Sequence, residues 1–337
     1  MPNNYQNKRA SILILALWSV CFLTSMAVIL SASVRQKLML VSRLEERQEL
    51  KNISEAGIKK AIIEINREEL TGVMALKDLW SNNPIVFKDI SVGEGRFNVC
   101  YDILGPRGEV ITRWGMVDES RKINLNTADM TVIKRLFQVV LEMDEVSAQE
   151  LAASVVDWRD ADNLLSIPLG SAEDQYYMGL KYPYKAKNAD FETLDELLLV
   201  KGMTQDIFTK LRNYVTIYGS GKVNVNTASK QVLMALGLRE EIADRVITFR
   251  SGEDKLEGTI DDSVFDSALN VGNKLAQAYQ LRPADVAQIN LVADRFLCTD
   301  SNVFMARSLA RLNNKKNTTE TISVFDRLGR ILYWREF

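Results

Sequence analysis

From Ser11 to Val34 the chain reads SILILALWSVCFLTSMAVILSASV, 24 residues without Asp, Glu, Lys or Arg. At about 1.5 Å per residue this run makes a helix of roughly 36 Å, enough to cross a bilayer core of about 30 Å with some tilt. Lys8 and Arg9 precede it, and Arg35 and Lys37 follow. A cleavable secretory signal would have a shorter apolar core of roughly 7–15 residues, and Ser31-Ala32-Ser33 imitates its exit only loosely. The pattern predicts a retained, single-pass membrane helix over 11–34. The short basic leader, residues 1–10, stays in the cytoplasm, and everything from Arg35 onward lies on the other side.

The helical periodicity does not stop at Val34. Over 35–70, Leu38, Val41, Leu44, Ile53, Ala56, Ile62 and Ile65 recur mostly at steps of three and four, with no Pro and one Gly. An amphipathic half-helix of this kind needs cover for its apolar stripe, and a sheet is expected to supply it. Strand-like runs follow at Val86–Val92, Arg96–Leu104 and Glu109–Val117, the last two flanking the turn Gly105-Pro106-Arg107-Gly108. Comparable runs return only at Val303–Leu312, Glu320–Phe325 and Arg330–Arg335. Between them, 118–296 reads as almost wholly helical. An isolated hairpin is marginal in water, so the two β regions are expected to form one sheet. The expected fold class is α+β. A long N-terminal helix lies on an antiparallel sheet built from 71–117 and 297–337, interrupted by a large all-helical insertion of helix-hairpin-helix or SAM-like type.

That insertion carries an internal repeat. Ile123-Asn124-Leu125-Asn126-Thr127-Ala128 recurs one hundred positions later as Val223-Asn224-Val225-Asn226-Thr227-Ala228. In each copy Asn126/Thr127 or Asn226/Thr227 precedes an apolar-periodic run, where a side-chain oxygen is expected to cap a helix start. Each copy continues into a second helix ending at Arg159 or Arg250. A third helix pair is expected over Thr193–Tyr214, turning at Lys201-Gly202-Met203 with Thr204 as cap. Helix-hairpin-helix units often hold DNA backbone through hairpin amides and nearby cations. Here the first hairpin carries Glu142, Asp144 and Glu145, and the second keeps only Gly237. Both features oppose a phosphate.

Composition narrows the chemistry. The 337 residues hold 42 basic and 44 acidic side chains, so no global field attracts nucleic acid. Histidine is absent, which excludes Ser-His-Asp and Cys-His catalysis and every His-ligated metal. Of three cysteines, Cys21 lies in the membrane run; Cys100 and Cys298 are either two buried thiols or a disulfide. An acidic cluster follows the first repeat: Asp157, Asp160 and Asp162, then Glu173 and Asp174. Carboxylates at this spacing suit a hard cation, with Ca2+ the best match to a flexible loop. The order is not that of the EF-hand loop, and solvated loop charge or a hydrolytic pair are the other readings. Gly170–Pro183, with Tyr182 and Tyr184, is expected to be an aromatic loop pinned to the helices.

Taken together, these features resemble the type II secretion system minor pseudopilin K family (GspK). The resemblance rests on the apolar start through Leu17-Trp18, Ser54-Glu55-Ala56-Gly57-Ile58, both NxNTA stretches and Asp157-Trp158-Arg159-Asp160. It rests also on Ala172-Glu173-Asp174-Gln175-Tyr176-Tyr177, Leu194-Asp195-Glu196-Leu197-Leu198 with Lys201-Gly202-Met203, and the tail Trp334-Arg335-Glu336. It implies a pilin-like, non-catalytic protein of the inner membrane with its bulk in the periplasm. Such a protein sits at the tip of a short fibre with minor pseudopilins I and J, on an inner-membrane assembly platform. It also implies trimming by a prepilin peptidase and methylation of the new amino terminus. Family leaders usually end in Gly; alignment on Trp18 puts Ala10 at that place and Ser11 at the mature start. The fifth mature position, Glu in major pilins, is Leu15, which avoids a carboxylate in the bilayer. The apolar positions Leu38, Val41, Leu44 and Ile53 are expected to face partner pilins. The competing reading is a membrane-anchored DNA-binding protein of the competence type.

Overall fold

A computed structural model describes residues 6–67, 72–104, 108–313 and 315–337. The Gly105–Arg107 part of the expected turn lies outside the described residues, as does Met1–Tyr5 of the leader. The chain opens with one 62-residue helix, α1 (Gln6–Arg67). Among the described residues it is the one helix long and apolar enough to cross a membrane. Its apolar side chains from Ile12 to Leu44 face outward, Trp18 at 74% exposure among them, and burial begins only at Leu50. Leu38, Val41 and Leu44 are therefore uncovered, whereas Ile53, grouped with them from periodicity, lies under the sheet.

The reason for that change is local. Leu50, Ile53, Ile58, Ala61 and Ile65 share a core with Phe97, Val99, Phe304 and Phe325. Ser54 Oγ donates to Ser308 O at 3.1 Å, and a Cβ on Gly57 would collide with Ser308 Oγ and stand 3.0 Å from the Phe97 ring. A small residue on the helix lets its backbone approach the central strand.

Past α1 come α2 (Pro84–Phe87), β1 (Ile90–Val92), β2 (Gly95–Val99), β3 (Tyr101–Leu104), β4 (Val110–Arg113) and β5 (Val117–Asp118). The strand expected over 86–92 is split. Pro84 at the first helical position starts a short helical turn, and Asp89, at φ 55°, separates that turn from β1. The run 96–104 likewise breaks at Cys100. β2 joins the main sheet, while β3 and β4 form a separate hairpin pairing Tyr101 with Arg113 and Leu104 with Val110.

The insertion then runs β6 (Ile123–Asn124), α3 (Met130–Leu141), α4 (Glu145–Arg159), α5 (Asp174–Met178), α6 (Gln205–Leu211) and β7 (Val215–Thr216). It continues with β8 (Val223–Asn224), α7 (Lys230–Ala235), α8 (Glu240–Arg250), α9 (Val271–Tyr279), α10 (Pro283–Phe296) and β9 (Leu297–Cys298). Leu194–Leu199 is a 3-10 turn with Thr193 and Glu196 in a capping box, and Thr204 Oγ1 accepts from Ile207 N at 3.3 Å. The return strands are β10 (Val303–Leu312), β11 (Thr318–Asp326) and β12 (Ile331–Glu336).

The main sheet is antiparallel in the order β1-β2-β10-β11-β12, with β5 also paired to β10. The fold is the pilin-like α+β arrangement: helix on sheet, with a helical unit between β5 and β10. That unit has its own core around Ile133, Leu136, Trp158, Leu233, Val246 and Ile289. Cys100 and Cys298 are both free thiols, which settles the pairing left open by the sequence.

Candidate cation site and the repeated clamps

The two NxNTA copies build the same device twice. In each, the first Asn turns its Oδ1 to the amide of the second, Asn124 to Asn126 and Asn224 to Asn226, both at 2.9 Å. The second Asn then clamps a distant backbone in both directions. Asn126 Nδ2 donates to Phe191 O at 3.0 Å, and Phe191 N donates to Asn126 Oδ1 at 2.8 Å. Asn226 holds Phe265 in the same way, at 2.9 and 2.8 Å. The expected helix caps are thus elsewhere. Asp129 and Ser229 occupy the N-cap positions, and only Ser229 bonds an amide, that of Val232.

Each copy also ends on an arginine that ties the second helix back to the motif. Arg159 Nη2 donates to Ala128 O at 2.5 Å. Arg250 Nη1 donates to Val225 O at 2.6 Å and Ala228 O at 2.8 Å. A parallel two-residue bridge closes each copy: Ile123 beside Val215, and Val223 beside Leu297. The repeat is therefore a packing module. Its second hairpin is covered by the chain itself, since Gly237 O accepts from Gln288 and a Cβ on Gly237 would lie 3.0 Å from Arg135 Nη1.

The second copy carries one more contact set, which joins the insertion to the frame. Asp118 of β5 is buried and accepts from Thr227 Oγ1 at 2.5 Å, Ser301 Oγ at 2.7 Å and Ser120 N at 2.7 Å. Asn224 Nδ2 reaches Ser301 Oγ at 2.8 Å and Met74 O at 3.0 Å. Burial still pushes the Asp118 carboxyl above its ordinary range, against the hydrogen bonds that lower it.

The acidic residues after the first copy divide by role. Asp157 is fully buried and receives Ser166 N at 3.1 and 3.3 Å. Asp174 Oδ1 receives Ala186 N at 2.9 Å. These two shape loops and do not join the cluster. Asp160, Asp162 and Glu173 do converge, offering one carboxylate oxygen each within 4.8 Å of one another. Glu173 is 4% exposed, and neither of its side-chain oxygens has a hydrogen-bond partner; Asp160 Oδ1 is also unpartnered. Burial, then the neighbouring Asp157, Asp160 and Asp162, pushes Glu173 up to about 7. Asp160 is raised for the same reasons.

Buried carboxylate oxygens facing one another without donors are costly unless a proton or a cation sits among them. An all-oxygen set of three carboxylates suits a hard divalent ion, so Asp160, Asp162 and Glu173 fit Ca2+. Nearby, Tyr177 is buried, stacks on Tyr184 at 5.3 Å and meets Trp158 edge-on at 5.2 Å. Tyr182, expected to pin the same loop, is instead 76% exposed. The α5 turn within that loop and the aromatic stack were not legible from periodicity, because they depend on partners in α4.

Ala10 and Ser11, the implied processing pair, fall within α1. Leu38, Val41 and Leu44 remain available to a partner and Ile53 does not.

Comparison with known proteins bears on the helical unit and β2–β5. Residues 96–220 match the family model described as type II secretion system (T2SS), protein K. Curated proteins named type II secretion system protein K are similar over parts of their length. The one from Aeromonas hydrophila is 30% identical over 58% of this chain and 56% of its own. The one from Pectobacterium carotovorum subsp. carotovorum is 34% identical over 25% of each. The one from Pseudomonas aeruginosa is 28% identical over 57% and 56%. The chain thus spans about half the length of the curated relatives it matches. A chain in the crystal structure of the GspK-GspI-GspJ complex from the enterotoxigenic Escherichia coli type 2 secretion system shares the fold. Its TM-score is 0.63 at 17% identity, covering 88% of this chain and 99% of that one. The chain is thus similar to type II secretion system protein K over residues 96–220 and over about half the length of these relatives, and it shares the fold of the solved structure.

Proposed function

We propose that the chain is a minor pseudopilin at the tip of the type II secretion pseudopilus, initiating or capping fibre assembly with minor pseudopilins I and J for protein export. The observation that carries this reading is where the insertion is rooted. Met74, just past the C-terminal end of α1, bonds to Thr299 O at 2.8 Å and accepts from Asn224. Lys77 Nζ donates to Asp262 O at 2.9 Å. These contacts tie the helical unit to the segment that follows the C-terminal end of α1, which supports a place where a further subunit would have to stack. Its role is structural and interactive, not catalytic.

In this reading α1 anchors the protein in the inner membrane before assembly, with the bulk in the periplasm. Leu38, Val41 and Leu44 face the pseudopilin partners. The assembly platform receives the chain after the prepilin peptidase cuts between Ala10 and Ser11. The acids Glu142, Asp144 and Glu145 at the first hairpin and the covered Gly237 of the second oppose duplex DNA. The test is co-expression of the full chain with pseudopilins I and J, extraction in mild detergent and mass measurement of what co-elutes. A ternary complex is expected, weakened by Leu38→Asp with Val41→Asp; a chain that elutes alone overturns the reading. Intact mass of the same sample is expected to show a methylated start at Ser11.

We further propose that Asp160, Asp162 and Glu173 hold a structural Ca2+ that fixes the loop after α4. Calcium titration against a chelated sample, followed by thermal melting, tests it.

A further inference from the structure

The loop fixed by those acids is unusual in what it shows to solvent. Leu164, Leu165 and Leu169 are 75%, 44% and 95% exposed. Leu169 also holds φ +68°, a conformation that disfavours leucine. Glycine or asparagine adopts that conformation more readily, and the Leu169 side chain is almost wholly in solvent.

The shape of this loop is set by the acid cluster itself. Asp162 Oδ1 accepts from Leu164 N at 2.8 Å, and Asp157 accepts from Ser166 N. Ile167 N donates to Ser171 Oγ at 3.1 Å, while Ile167 O accepts from Gly170 N and Ser171 N. Asp162 therefore belongs to both the carboxylate cluster and the turn that carries the leucines. Lys201 joins a second segment to this one. Its Nζ donates to Gly170 O and Ser171 O at 2.9 and 3.2 Å and lies 5.2 Å from the Tyr176 ring centroid. Tyr176 is 41% and Tyr182 76% exposed.

We infer that this surface, Leu164, Leu165 and Leu169 with Tyr176 and Tyr182, docks onto an anionic phospholipid membrane when a divalent cation occupies the neighbouring acids. The inference rests on the cation reading above. Three features favour lipid over protein. Aliphatic tips with an exposed tyrosine on the segment that Lys201 joins to them, and a second tyrosine further along it, match a bilayer interface, where apolar groups enter and phenols stay at headgroup level. Lys181 and Lys185 are exposed on the second segment, Lys181 Nζ lying 5.4 Å from the Tyr182 ring centroid, and among the described residues neither pairs with a carboxylate, so both charges can meet phosphate. A cation held by three carboxylates has further oxygen positions to fill, since Ca2+ takes 6–8. Asp162 lies exposed at the solvent side of the cluster, so lipid phosphate can supply those oxygens.

The test keeps the membrane helix occupied. The full chain is reconstituted in phosphatidylcholine nanodiscs and mixed with sucrose-loaded vesicles of phosphatidylethanolamine containing a minority of phosphatidylglycerol, in calcium or in EDTA. Calcium binding is measured calorimetrically on the same preparation. Co-sedimentation is expected in calcium and not in EDTA. It should fall about tenfold or more in Leu164→Ser/Leu165→Ser/Leu169→Ser, whose melting and calcium binding stay as in the parent because these side chains are exposed. Calcium binding without co-sedimentation overturns the docking and leaves the cation reading standing. Equal co-sedimentation of the serine variant also overturns the docking. Co-sedimentation that ignores EDTA overturns the gating. If the leucines instead govern self-association, a second copy covers them and the lipid inference falls. If calcium does not bind, both readings fall.

Discussion

The two copies of the helical module share a backbone clamp but differ in how they treat charge. Both use an Asn pair to hold a distant Phe backbone and an Arg to tie the second helix to the motif. After Arg250 the loop returns Glu257, whose Oε1 accepts from Arg250 Nε at 2.9 Å. Asp261 Oδ2 takes Glu253 N and Asp254 N, and Asp262 Oδ2 takes Gly258 N. The second loop satisfies itself. After Arg159, no carboxylate reaches ion-pair distance of the guanidinium among the described residues, and Nη1 is buried without a partner. Burial lowers the Arg159 pKa. The acids of that loop face each other instead. The same scaffold thus closes one loop internally and leaves carboxylate oxygens of the other facing one another without donors.

The largest expected effect separates the arginines. Arg250 is 3% exposed, and its truncation would orphan Glu257 and two carbonyls. Arg250→Ala is expected to cost about 3–5 kcal/mol, the range for breaking a buried pair. Arg159→Ala removes fewer contacts and no ion pair, and about 1–3 kcal/mol is expected. Chemical denaturation of the two variants measures the difference; equal losses would mean the loops are equivalent after all.

The clamps should differ less. Asn226 is buried and Asn126 half-buried. Asn226→Ala leaves the Phe265 amide and carbonyl without partners inside the protein, a loss of roughly 2–4 kcal/mol. Asn126→Ala should cost less, because water reaches Phe191 more easily. Hydrogen exchange at Phe191 and Phe265 would show whether each clamp fails locally.

How much of this was legible in the sequence depends on the range of the interaction. The NxNTA repeat, the second helices and the long first helix follow local patterns, and each is visible as spacing. The use of Asn126 and Asn226 is not, because their partners lie 65 and 39 positions away. Local chemistry suggested helix caps, and a distant backbone won the same oxygens. Periodicity also grouped Ile53 with Leu38, Val41 and Leu44; only Gly57 and Ser54 mark where the helix meets β10. Within the acidic run, Asp157 and Asp174 read the same as Asp160 and Glu173. Which carboxylate faces a backbone amide and which faces another carboxylate is decided by the folding of the loop. The two-residue strands β6–β9 carry too few positions for any period.

Calcium should then act on one module alone. A ligand at about one hundred times its dissociation constant stabilises by about 2.7 kcal/mol, so saturating calcium is expected to raise the melting temperature by several degrees. Glu173→Gln should abolish the rise. Glu257→Gln should lower the melting temperature yet keep the rise, since its loop lies in the self-satisfied copy. A calcium response lost in Glu257→Gln and kept in Glu173→Gln would reverse the assignment of the two loops.

The last effect is the pH dependence of the cation-free protein. Glu173 titrates at about 7 in the fold, against an ordinary 4.5, because burial and the facing aspartates disfavour its charged form. Between those values the folded state holds a proton that the unfolded chain has released. Stability in EDTA is therefore highest, for this group, below about 4.5 and falls as pH rises toward 7, levelling above it. Calcium competes with that proton, so its stabilisation should grow over the same interval. The gap between calcium and EDTA melting curves is expected to widen from acid to neutral pH in the parent protein and to stay closed in Glu173→Gln. A gap that narrows with rising pH would place the cation away from Glu173 and leave its two unpartnered oxygens to a proton alone.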